Sequence, residues 1–123
     1  MIYIEEPDRA YHLLTEPCTV SGAGRRIVHE HGYYVANDRT QQRGLSVQRT
    51  DPQRYALINA WLDGIEPNEY IHSFHYDDHV QLVLVTYFEH LWEAEIAALV
   101  RGYKTFNKVD GTIVSLFGEI KDV

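Results

Sequence analysis

The octapeptide HSFHYDDH holds three of the chain's seven histidines, His72, His75 and His79. Three imidazoles can share one ion only if they converge on a point about 2 Å from each nitrogen. A helix would bring these three to one face. A strand would send His72 and His75 to opposite faces, and the LVLVTY run that follows at 82–87 favours a strand. No metal site is therefore expected here. His29 and His31 would share a face of a strand with Glu30 opposite, but two histidines alone do not define a site.

The stretch SGAGRR offers different chemistry. Ser21, Gly22 and Gly24 let backbone N–H groups approach an anion, and Arg25 and Arg26 can clamp a phosphate through two donors each. The third glycine of a dinucleotide fingerprint and the lysine of a P-loop are both missing. Arg39, Arg43, Arg49 and Arg54 follow, so residues 25–54 carry six arginines against three acids. This basic segment makes a nucleotide or phosphate site one expectation.

Catalytic signatures are absent. The carboxylate pairs Glu5-Glu6, Asp77-Asp78 and Glu93/Glu95 sit in no recognisable acid–base motif, and no G-x-S-x-G elbow occurs. Cys18 is the sole cysteine, so no intrachain disulfide or thiolate cluster can form. The expectation is binding without catalysis and without a cofactor.

These groups must be positioned by a chain of 123 residues, the length of a single domain over 1–123. Strands are expected at 1–5, 33–36 and 45–48, with a helical turn at 9–15 and a loop from 18 to a strand entering at Ile27. Asp51-Pro52 starts a helix running to about Asp63, with Ile58, Trp61 and Leu62 on one stripe and Gly64 suited to a left-handed stop. Residues 70–76 and 79–88 form a hairpin turning at Asp77-Asp78. In that register Ile71, Ser73, His75, Val80, Leu82 and Leu84 share one face; Tyr70, His72, Phe74, Tyr76, His79, Gln81, Val83 and Val85 share the other. A second helix spans 89–101 with Trp92, Ile96 and Leu99 as its apolar stripe, and Asp110-Gly111 turns a last hairpin.

The predicted fold is α+β: one antiparallel-rich sheet with two main helices on one face, in a ferredoxin-like split βαβ order with an N-terminal extension. Its core should contain Ile58, Trp61, Leu62, Leu82, Leu84, Trp92, Ile96 and Leu99.

The net charge of −7 opposes direct nucleic-acid binding, and the acids concentrate at 55–123, with eleven against four bases. No apolar run reaches the ~20 residues of a membrane span, and the acidic N-terminus is unlike an export signal. A cytoplasmic setting is expected. Nine tyrosines and four phenylalanines supply amphipathic contact area. Met1, Ile2, Tyr3, Glu6, Pro7, Tyr11 and Leu14 resemble the opening of small phage enzymes that degrade S-adenosylmethionine. The resemblance covers about 14 residues, and Gly44–Arg49, where that family's acidic catalytic strand would fall, holds no Glu; the activity is not carried over.

The leading expectation is an acidic partner-binding protein of the inhibitor, immunity or anti-defence kind, of phage or mobile-element type. It would meet a basic protein through Tyr70, His72, Phe74, Tyr76, Asp77, Asp78 and His79. The alternatives are the anion-binding protein or enzyme above and a structural subunit, including one assembled from copies of this chain.

Overall fold

A computed structural model describes residues 2–5, 11–22, 25–39, 44–48 and 53–116. Strand β7 (His79–Phe88) organises the sheet, because its ten residues are long enough to be shared. Along one edge it pairs with β6 (Glu69–His75). Its other edge is divided between β5 (Leu45–Gln48), opposite residues 79–82, and β4 (Tyr33–Ala36), opposite residues 85–88. Beyond β4 lie β8 (Thr105–Lys108) and β9 (Ile113–Ser115). Beyond β6 lie β2 (Thr19–Ser21), β3 (Arg25–Val28) and β1 (Ile2–Glu5). Every pairing is antiparallel, so the α+β class and single antiparallel sheet are as expected.

The β6–β7 register is the one the alternation implies: His72 faces Val83, Phe74 faces Gln81 and Ile71 faces Leu84. Two connections differ from expectation. Strand β8 joins the sheet beside β4 rather than β5, so the ferredoxin-like order is not reproduced there. The N-terminal segment is no separate extension, since β1 to β4 all belong to the same sheet. The expected loop after Cys18 contains β2, which pairs with both β3 and β6.

All three helices cover one face. Helices α1 (Tyr11–Thr15) and α2 (Arg54–Asp63) bring Leu13, Leu14, Ile58 and Leu62 onto Val20, Val47, Ile71, Val80, Leu82 and Leu84. Trp61 is only partly buried at the edge of that cluster. The proposed helix start at Asp51-Pro52 lies outside the described residues. Gly64 ends α2 at φ −95°, so the left-handed position expected of it is not used. Gly102 takes that position after α3 (Leu91–Arg101), at φ 81°.

Helix α3 corrects the predicted core. Ala94 and Ala98 are buried against Val35 and Phe106, whereas Trp92, Ile96 and Leu99 are 61%, 52% and 53% exposed. Arg101 reaches under the helix to the Val35 and Ala36 carbonyls of β4 at 3.5 and 3.1 Å and to Thr86 at 3.3 Å. Ala94, Ala98 and Arg101 follow at i, i+4 and i+7, so these contacts set that side of the helix against the sheet and leave the bulky stripe outward.

Candidate functional site

The opposite face of the sheet carries no helix among the described residues, yet Tyr34, Tyr70, Val83 and Val85 are each less than a tenth exposed on it. Curvature explains this. Tyr34 on β4 and His72 on β6 are separated by β7, about 10 Å across a flat sheet at ~4.8 Å per strand. Their ring centroids nevertheless lie 5.3 Å apart. The strands therefore rise on both sides and make this face concave.

The connection from β3 to β4 crosses one end of the hollow. It places His29 against Tyr87, stacked at 3.9 Å, and edge-on to Tyr70 at 4.8 Å. Tyr87 donates its hydroxyl proton to the His31 carbonyl at 2.7 Å. Gly32 is required there: at φ +115° a Cβ would stand 2.5 Å from the Tyr87 ring. His29 is buried just after β3 and His31 is exposed, so the two do not form the shared-face pair considered from sequence.

Two polar pairs sit side by side in this aromatic lining. His29 Nδ1 lies 2.5 Å from the Tyr34 hydroxyl and Thr19 Oγ1 lies 2.7 Å from His72 Nδ1, with the Tyr34 and His72 rings 5.3 Å apart. Burial lowers both imidazoles from 6.5 to about 4, and the charge His72 would carry adds to the effect on His29. Burial likewise raises the Tyr34 phenol to about 12, against a smaller opposing effect of the Thr19 hydroxyl. At neutral pH all four groups are uncharged. Within each pair the imidazole and the hydroxyl can exchange donor and acceptor roles without net charge.

Next to these pairs the hollow remains open as a cleft of about 270 Å³. Tyr34, His72, Phe74, Val83 and Val85 line it from the sheet, and Thr105, Asn107, Lys108 and Gly111 from β8 and its turn. Asn107 stands directly opposite Tyr34 in the β4–β8 ladder. Among the described residues Lys108 is the only charged one in the lining, which includes no carboxylate.

The residues singled out from sequence fall in three places. Tyr70, His72 and Phe74 do share this face: Tyr70 is 7% exposed beneath His29, His72 lines the cleft, and Phe74 stands at its edge, 4.7 Å from the His72 ring. Tyr76 and His79 stack at 4.9 Å at the hairpin tip beside exposed Asp77 and Asp78. His75 points to the helix-bearing face. Among the described residues no three His, Cys, Asp or Glu side chains gather in a way that could hold a metal ion.

The SGAGRR segment is described only in part; Ala23 and Gly24 lie outside the described residues, as do Arg43 and Arg49. Ser21 and Gly22 edge a shallow depression of about 410 Å³ that also contains Glu66 and Glu69. Arg26 is ion-paired with Glu16 at 2.7 Å and Arg25 is exposed on β3. Arg39 bonds Glu69 at 2.7 Å and the Gly64 carbonyl at 3.0 Å, while Arg101 reaches β4. These arginines are thus spread over separate partners.

Tyr34, Thr19, Asn107 and Lys108 did not stand out in the sequence. No signal in the chain marks them, because their meeting depends on β4 and β8 lying beside β7. No protein-family model, curated protein or solved structure matches this chain.

Proposed function

We propose that the protein binds a small planar ring compound, neutral or singly negative, in the concave cleft. The observation that carries this is the adjacent His29–Tyr34 and Thr19–His72 pairs, with His72 opening into a cleft that has an apolar floor. Such a combination of apolar walls with a few convergent polar groups is the usual form of a small-molecule site. The ring of a ligand would lie against Val83, Val85 and Phe74. His72 has Nδ1 committed to Thr19, which leaves Nε2 to donate to or accept from the ligand, with Asn107 as a second polar contact. A volume of 270 Å³ exceeds the ~150 Å³ that holds a benzene, so one or two fused rings fit. Lys108, the one charged group among the described lining residues, favours a negative substituent over a positive one.

The test is a titration of the labelled protein with a panel of mono- and bicyclic heteroaromatic compounds and aromatic carboxylates, followed by amide NMR. Binding should shift His72, Val83 and Asn107 together, and Phe74→Ala should weaken it about tenfold, the loss expected of one well-packed ring. Shifts that map elsewhere, or none with any compound at millimolar concentration, would remove the proposal.

Exposed Tyr76, stacked on His79 beside Asp77 and Asp78, favours a second reading. This tip would engage a basic protein surface, steered by the acidic 55–123 segment. Burial of Tyr70 narrows the contact to the tip itself. The reading requires that added salt slow association and that Tyr76→Ala speed dissociation from a partner recovered by pulldown.

A further inference from the structure

The outward stripe of α3 has no counterpart in the cleft. Trp92, Ile96 and Leu99 follow one another at i, i+4 and i+7, and Val100 beside them is 79% exposed. Ala94 and Ala98 hold the other side of the helix to the sheet, and the Arg101 bonds to β4 prevent the helix from rolling to bury the stripe. A contiguous apolar ridge of this size on a soluble surface marks a contact site.

We infer that this ridge is the interface between two copies of the chain, packed antiparallel about a two-fold axis at Ile96. The distribution of charge along the helix argues for a second copy. The N-terminal end carries Glu89 and Glu93, and the C-terminal end carries exposed Lys104. Antiparallel pairing centred on Ile96 sets Trp92 against Val100 of the other copy and brings Glu89 beside Lys104 at both ends. A parallel pairing would set Glu89 against Glu89. A face that is apolar at its centre and opposite in charge at its two ends is complementary to itself, which a two-fold contact requires. One 11-residue helix is about 16 Å long, so the contact is smaller than the ~800 Å² per partner of a standard interface. Its dissociation constant should fall in the micromolar range.

Sedimentation equilibrium across low- to high-micromolar protein tests this directly. The wild type should pass from the mass of one chain to that of two. Ile96→Glu, which places two carboxylates at the axis, should raise the dissociation constant more than tenfold. Because Ile96 is half exposed, this variant should keep the wild-type circular dichroism and melting temperature. Glu89→Lys should weaken the dimer, and adding Lys104→Glu should restore it. A wild type that stays monomeric throughout overturns the inference, whatever other protein the ridge may capture. So does a dimer that Ile96→Glu leaves intact, since another face would then hold it.

Discussion

Two buried imidazoles held neutral in the native state make stability depend on pH in a defined window. In the folded protein His29 and His72 titrate near 4, and in the unfolded chain near 6.5. Between those values the unfolded state binds the extra protons, so acid pulls the equilibrium toward unfolding. The stabilisation is complete above pH 6.5 and is lost as pH falls toward 4. From pH ~7.5 to ~5 the loss is about 2 kcal/mol per histidine, or about 4 kcal/mol for both. That is a large part of the ~5–15 kcal/mol available to a domain. Aspartates and glutamates titrate mostly below this window. Urea unfolding at several pH values measures the slope, and His29→Gln and His72→Gln should each remove about half of the excess. Both variants will shift overall stability, so the slope is the decisive reading. A His72→Gln slope equal to that of the wild type would mean that the ring is hydrated and protonates in the native state, and the neutral pairs behind the cleft would have to be abandoned.

Two further outcomes concern packing. Leu84→Ala should cost ~2–5 kcal/mol, while Trp92→Ala should cost under ~0.5 kcal/mol in monomeric protein. Equal losses in urea melts would put α3 in the opposite rotation. Glu69, 5% exposed, accepts hydrogen bonds from Asn37, Arg39 and the Glu66 backbone N–H. Glu69→Ala leaves buried Asn37 without this acceptor and should cost ~2–3 kcal/mol. Half-exposed Arg39 contributes less through the same pair, so a loss for Arg39→Ala as large as that for Glu69→Ala would contradict this account.

Much of the local structure was legible. The short strands expected at 33–36 and 45–48 and the longer one at 79–88 stand where β4, β5 and β7 are observed, and the two-residue turn at Asp77-Asp78 set the β6–β7 register from Tyr70 to His75. Side chains on a strand must alternate, so the sequence alone decided that Tyr70, His72 and Phe74 share a face with Val83 and Val85. The helix that ends before Gly102 was equally legible, because an apolar repeat followed by glycine is a local signal. Its rotation was not. Two stripes on α3 satisfy helical spacing, one bulky (Trp92, Ile96, Leu99) and one small (Ala94, Ala98). The larger one looks like core when only hydrophobicity is counted.

Tertiary structure chose the small stripe, since Ala94 and Ala98 pack on Val35 and Phe106 and Arg101 on the same side bonds β4. It also decided the site. Thr19, His29, Tyr34, His72 and Asn107 lie on five separate segments, and nothing local joins them. They meet because β7 is shared by β4 and β5, which brings β8 alongside, and because the sheet curls until the Tyr34 ring meets His72. The sequence determined which side chains each strand presents to this face, since that follows from backbone geometry residue by residue. The fold alone determined that the face is concave and that burial keeps its two histidines neutral, since strand order and curvature arise from contacts between residues distant in the chain.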